Sequence, residues 1–289
     1  MKSIFYEILL LMAVALWGAS FALTKPLLNV MGVFTFMASR FVIGGIILLI
    51  ALKAIGRLKV NRLALKGGII TGLLLFAAFV FHTYGLKYTT VSKNAFIVGS
   101  NVIFVPLVMT LFRKEQQSLH TWFSTFMALI GLGLVTLDSI GGGINIGDAL
   151  SVIGTIIVAF YILTVEKYVR TSDPLAVATI QVLTVGIFSL VPALLFETLP
   201  TAITPLIFRN MLILSVGCTS IAYLIANYCQ RVLSATRTSL LYVFEPIFGA
   251  LLGWLLLGER MGTQGIIGAL IISFATVYPL LVYTKRVKP

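Results

Sequence analysis

The stretch YCQRVLSATRTSLLYVFEPIFGALLGWLLLGE, Tyr228–Glu259, lies over YGLKYTTVSKNAFIVGSNVIFVPLVMTLFRKE, Tyr84–Glu115, without a gap when the chain is shifted by 144 residues. Tyr84 meets Tyr228, Phe104 meets Phe248, Leu107 meets Leu251, Leu111 meets Leu255 and Glu115 meets Glu259. Lys93 meets Arg237 with the same charge, and Asn101 meets Glu245. The shift is half of the 289-residue length, the mark of a tandem duplication. Two copies of one unit are therefore expected, at 1–140 and 141–289, joined in a single domain.

The material of each copy is apolar. Hydrophobic residues make up 59% of the chain and charged residues 10%, with a mean hydropathy of +1.07. Soluble domains carry about 25% charged residues. Disordered chains, collagens and water-soluble enzymes with one core are excluded on that ground. A helix needs about 20 apolar residues to cross the hydrocarbon core of a bilayer. Ten runs meet that length, at 4–24, 33–52, 67–86, 91–112, 119–138, 148–166, 175–196, 208–229, 235–257 and 263–284. The first could pass for a cleaved signal peptide, but its length and the nine runs behind it favour a retained span. The fold class is an all-α integral membrane protein. Five spans per copy is an odd number, so the second copy enters the bilayer from the opposite face, giving two five-helix inverted repeats.

The net charge of +12 sits between the apolar runs, where it orients the chain and argues against nucleic-acid binding. With both termini on one side, fifteen Lys and Arg fall on that side, including Arg57, Lys59 and Arg62, against five on the other, Lys25, Lys87, Lys93, Arg209 and Arg260. The positive-inside rule then places both termini in the cytoplasm of a multi-pass protein of the cell membrane. Cys218 and Cys229 share one span and have neither metal-site nor disulfide-framework spacing, so they read as structural.

Glu245-Pro246 opens a motif that runs to Gly258-Glu259-Arg260 and is followed by Gly265, Gly268, Ala269 and Leu270. With Trp17-Gly18-Ala19-Ser20-Phe21, Arg40-Phe41 and Gly147-Asp148, it resembles the EamA-type transporters of the drug/metabolite transporter superfamily over essentially the whole chain. The first copy departs from the motif. It has Asn101-Val102 in place of Glu245-Pro246, its proline, Pro106, comes later, and Lys114 stands where the second copy has Gly258. The resemblance implies ten helices around a central cavity, alternating access, and transport of small metabolites such as amino acids, outward. No ATP-binding loop, HExxH or Rossmann fingerprint occurs, and neither a cofactor nor a metal is expected.

Ionisable groups inside a span are costly and mark functional sites. Glu245 and Arg40 stand out. Low-dielectric surroundings penalise a carboxylate, which makes Glu245 a candidate proton carrier unless a cation compensates it, and Pro246 beside it breaks one helical hydrogen bond. Arg40 stays charged and can neutralise an anion, pair with an acid or snorkel to an interface. His82, Tyr84, Asn94, Asn101, Tyr223 and Asn227 are polar groups within spans, where each needs a partner: substrate, coupling ion or a neighbouring helix. Ser100 and Tyr228 belong to the same polar set. Asn101 and Glu245 occupy equivalent depths in opposed copies, the arrangement of a midplane site. Trp17 and Tyr161, beside Phe160, offer aromatic surface to a ligand or to packing. Gly68 with Gly72, and Gly249 with Gly253, allow close helix approach. The expected partners are the lipid bilayer, a small-molecule substrate and protons, with the protein working as a monomer or homodimer. Two rival readings remain: an intramembrane enzyme using Ser100 and His82, and a receptor that binds without transporting.

Overall fold

The computed structural model describes residues 2–56, 60–136, 144–200, 204–257 and 262–286. Arg57, Lys59, the junction between the copies with residue 142, the Gly258-Glu259-Arg260 end of the motif, and Lys288 lie outside the described residues. All regular structure among the described residues is helical. The first half holds α1 (Lys2–Leu27), α2 (Val33–Ala54), α3 (Arg62–Tyr88), α4 (Val91–Gly99), α5 (Asn101–Phe112) and α6 (Leu119–Thr136). The second holds α7 (Ile146–Val169), α8 (Pro174–Phe196), α9 (Pro205–Ser215), a π-helical turn (Val216–Ile221), α10 (Ala222–Gln230), α11 (Ala235–Tyr242), α12 (Glu245–Leu257) and α13 (Thr263–Arg286). Among the described residues, seven helical stretches are long and apolar enough to cross a membrane, α4–α5 and α9–α10 each counting as one, and α6 and α13 contain shorter apolar cores.

Local chemistry fixes the starts of these helices. Asn145 and Asp148 form a reciprocal capping box at α7, and Asp173 caps α8 with Pro174 as its first residue. Thr90 at α4 and Ser234 at α11 are 144 residues apart and make the same cap, each accepting from the backbone N–H three residues on.

The halves are inverted relative to each other. Helix α2 lies on its counterpart α8 with Phe34 beside Glu197, Val42 against Gly186 and Gly45 against Leu183, so the two run antiparallel. Helix α6 lies on α13 in the same way, with His120 bonded to Tyr278 and Gly131 against Gly268. Exchanging the halves preserves the neighbours: α1 packs on α10 and α12, as α7 packs on α3, α4 and α5. The end holding the start of α1 is termed the near end, and the end holding the start of α2 the far end.

Glycine makes the tightest crossings possible. A Cβ on Gly18 would stand 2.6 Å from the Glu245 carbonyl oxygen and 2.8 Å from the Gly249 nitrogen, so α1 meets α12 backbone to backbone. Gly72 meets α8 similarly, its Cβ position lying 2.8 Å from the Gln181 carbonyl. Many large apolar side chains face outward, including Ile46, Ile50, Val191 and Leu194, as lipid contact requires.

Two spans expected as single helices are interrupted, at Ser100 and at Val243–Phe244. The interruptions fall 144 residues apart, yet their causes differ. Ser100 Oγ donates to the Ile97 carbonyl at 2.6 Å and its N–H also reaches that oxygen, tightening the turn. In the second half Pro246 has no N–H to offer the Tyr242 carbonyl, and Phe244 N–H bonds Leu241 in a tighter step. A third span, expected to be regular across 208–229, carries the π-helical turn.

Candidate functional site

Where α1, α2, α3, α7, α10 and the interrupted pairs α4–α5 and α11–α12 face one another, they leave a chamber enclosing about 810 Å³ of unfilled space, solvent at its mouth included. The lining starts at mid-depth with Trp17, Tyr161, Tyr223 and Tyr242, and reaches Thr24, Thr83 and Leu86 in the last two turns of α1 and α3 at the far end. Its lining residues closest to the near end, Tyr223 and Tyr242, stand seven residues inside the near-end tips of α10 and α11.

Arg40 and Glu245 face this space from opposite halves. Arg40 is buried, 2% exposed, and its donors are divided. Its Nε donates to Thr219 Oγ1 at 2.7 Å and one Nη2 hydrogen to the Cys218 carbonyl at 3.2 Å. The Phe41 and Phe79 rings lie 5.5 Å and 5.4 Å from its guanidinium carbon. The π-helical turn makes this seat. Ala222 N–H bonds the Gly217 and Thr219 carbonyls and bypasses that of Cys218, which accepts from Trp17 Nε1 at 3.0 Å and from Arg40. Arg40 Nη1 has no protein partner among the described residues, nor has the Glu245 carboxylate. The two form no ion pair with each other.

Trp17, Arg40, His82, Asn94, Asn101, Tyr161, Tyr223 and Glu245 line the chamber together. Tyr84 and Asn227 lie off it. Tyr84 packs with Phe34 and Tyr88, and Asn227 is buried with its Nδ2 on the Tyr223 carbonyl at 2.8 Å. Ser100 and Phe160 also lie off it, the latter against Phe112. His82 and Asn94 use their polar atoms to join helices: His82 Nε2 contacts Thr155 Oγ1 at 3.2 Å, and Asn94 Nδ2 donates to Ser151 Oγ at 2.8 Å. Asn101 Nδ2 reaches the Val98 carbonyl, while its Oδ1 is buried with no partner.

Sequence reading missed Tyr242 and the Thr219–Cys218 seat. Tyr242 lies three residues before Glu245, a spacing that returns to the same helix face and could have flagged it. Nothing local announces a π-helical turn at Val216–Ile221.

Three further buried charges among the described residues, Glu7, Lys93 and Glu166, also escaped it, each held in an ion pair. Arg237 grips Glu7 in a two-point contact, Nη2 to Oε2 at 2.7 Å and Nε to Oε1 at 3.1 Å, and also donates to the Thr276 carbonyl. Lys93, its counterpart in the first half, lies 3.5 Å from Asp148 at the far end. Glu166, near the end of α7, takes Arg113 at 3.0 Å, Arg170 at 2.9 Å and the Ala235 N–H at 3.3 Å, tying α5, α7 and α11 together at the near end.

Known proteins share this plan. The model of the EamA-like transporter family matches twice, over residues 4–137 and 145–280. An uncharacterized transporter of Archaeoglobus fulgidus is 25% identical over 276 residues, covering 96% of this chain and 86% of that protein. The S-adenosylmethionine/S-adenosylhomocysteine transporter of Chlamydia muridarum is 24% identical over 286 residues, covering 91% and 88%. A solved crystal structure with 18% identity has the same fold, with a TM-score of 0.82 over 98% of this chain and 99% of that one. With two repeated family units, membrane-length apolar helices and relatives named as transporters, the chain belongs to the EamA-like transporter family.

Proposed function

We propose that the protein is a ten-pass secondary transporter of the cell membrane, with halves 1–140 and 141–289, that moves a small dipolar metabolite, an amino acid or a related compound, out of the cell. The observation that carries this reading is a pair of ionisable groups of opposite kind that face one chamber without a protein partner among the described residues, Arg40 Nη1 and the Glu245 carboxyl. A buried charge without a counter-charge is expensive. A solute bearing an anionic and a cationic group meets both, and the aromatic walls receive its apolar part. Asn101, His82 and Asn94 stand close by as hydrogen-bonding groups, and Glu245 is the candidate for proton coupling, since it comes and goes from a solvated space as the site changes sides.

Alternating access follows from inversion, because each half can adopt the conformation of the other. The chamber reaches the far end while Arg237–Glu7 and the Glu166 cluster close the near end. With both termini cytoplasmic, this is the outward-facing state. The intramembrane-enzyme alternative loses support from the geometry: Ser100 lies off the chamber with its hydroxyl on Ile97, and the His82 ring contacts Thr155 instead.

The test is a metabolite export screen in cells with and without the protein, followed by flux of the identified solute in proteoliposomes. Accumulation of a dipolar solute outside expressing cells is the expected result. Binding in detergent without flux across sealed vesicles would point to a receptor, and turnover in detergent to an enzyme. Cysteines introduced at residues 62 and 142 are expected to react from the cytoplasm and the outside respectively, and the opposite pattern would reverse the orientation.

A further inference from the structure

Between the chamber floor and the ion pairs of the near end lies a set of polar side chains that the transport cycle so far leaves unused. Gln181 on α8, and Asn227 and Gln230 on α10, are each fully buried. Gln181 Nε2 donates to Tyr161 OH at 2.9 Å and Gln230 Nε2 to Tyr242 OH at 3.3 Å, so both hang from tyrosines that line the chamber. Asn227 is tied to the backbone of a third lining tyrosine, Tyr223. The carboxamide oxygens of all three have no hydrogen-bond partner. Asn101 Oδ1, on the chamber itself, is the one other buried carboxamide oxygen without a partner among the described residues. Turning the Gln181 or Gln230 amide over leaves an unmet NH₂ group instead, so the deficit does not depend on amide orientation.

A buried acceptor without a donor loses its hydration and gains nothing in return. Other buried polar atoms also lack a partner among the described residues, the hydroxyls of Ser124, Thr125, Ser172, Ser215 and Thr238. Only these three carboxamides each hang from a tyrosine of the chamber, which points to a state in which they are wet. Their position gives that state. Helix α10 ends at Gln230 on the near end, and α11 begins there at Ala235, whose N–H is held by Glu166. Releasing the Glu166 cluster would free α11 from α7 and uncover the seam from the near end.

We propose that Gln181, Asn227 and Gln230 form the second, presently closed arm of the solute passage, a polar seam that runs from the Tyr161–Tyr223–Tyr242 floor to the near end. It receives water and the dipolar solute when the Glu166 cluster opens. The inference rests on the transport reading for what passes, but not for whether the seam opens. The seam supplies hydrogen-bonding groups suited to a polar solute and no fixed charge, so a solute bound between Arg40 and Glu245 meets no second electrostatic trap on leaving.

Accessibility tests this without knowing the solute. In the full-length protein with Cys218→Ala and Cys229→Ala, Gln230→Cys or Asn227→Cys is exposed to a small membrane-impermeant cationic methanethiosulfonate in sealed vesicles of either orientation. A cysteine at residue 62 marks the near face. Adding Glu166→Gln is expected to speed labelling at least tenfold, from the near face alone. The native Cys229, buried beside Gln230 and close to Tyr242, gives the same readout in Cys218→Ala protein with no substitution in the seam. Unchanged labelling of Cys229 and of every correctly folded seam variant after Glu166→Gln, or equal labelling from both faces, overturns the proposal and leaves the seam as a site of fixed internal water. A failed export screen with near-face labelling intact would instead remove the transport reading and keep the seam.

Discussion

Helix α3 and its counterpart in the second half have the same place in the repeat and different backbones. Helix α3 runs unbroken for 27 residues, whereas the counterpart is split into α9, a π-helical turn and α10. The charges follow that difference. Arg40 of the first half sits on the Cys218 carbonyl and Thr219 hydroxyl released by the turn, while its equivalent in the second half, Thr184, bonds back to its own helix at Ile180. Conversely, Glu245 of the second half lines the chamber where its equivalent in the first half is Asn101. Inversion supplies two related frames, and divergence between them gives the chamber a basic group from one half and an acidic group from the other. A perfectly symmetric pair would place like charges together, which a buried chamber does not tolerate.

Substitutions at four positions press on this contrast, in decreasing order of expected effect. Replacing Arg40 by Met should lower export of the solute found in the screen about 30-fold or more, because truncating one partner of a desolvated charge contact costs about 2–5 kcal/mol. Adding Thr184→Arg to Arg40→Met moves the charge to the opposite half and should not restore flux; recovery would show that the side bearing the cation does not matter. Glu245→Gln should reduce proteoliposome flux roughly tenfold or abolish its dependence on pH, since the amide keeps the shape and cannot exchange a proton. Flux unchanged at every pH would dismiss the coupling role. Thr219→Val removes one hydrogen bond to a charged group, worth about 1.5–3 kcal/mol, and should raise the apparent KM with little change in maximal rate, while Thr219→Ser restores it. Equal behaviour of the Val and Ser variants would show that the hydroxyl does not orient Arg40.

Much of the frame was legible because duplication and hydropathy act over long stretches. The 144-residue shift, the ten apolar runs and the odd number per copy led to an inverted pair, and the antiparallel contacts of α2 with α8 and of α6 with α13 carry that inversion into three dimensions. The charges of Arg40 and Glu245 stood out because hydrocarbon penalises them. The rest depends on which way a helix face points. Tyr84 and Tyr223 look alike in sequence, yet α3 turns Tyr84 towards Phe34 while α10 turns Tyr223 into the chamber. The π-helical turn has no local signature, so the seat of Arg40 could not be read. The paired charges Glu7, Lys93, Glu166 and Arg237 lie near the ends of apolar runs, where sequence alone makes them resemble interface anchors.

The crossing of α2 and α8 has one more consequence. Gly45 and Gly186 bring these self-paired helices together near their midpoints, a Cβ on Gly186 standing 2.8 Å from the Val42 nitrogen. A tight contact at the middle of two long rods acts as a seesaw pivot: spreading one rim draws the other together. Built this way, the protein resists having both rims apart at once, and so guards the membrane against a continuous leak through its own passage.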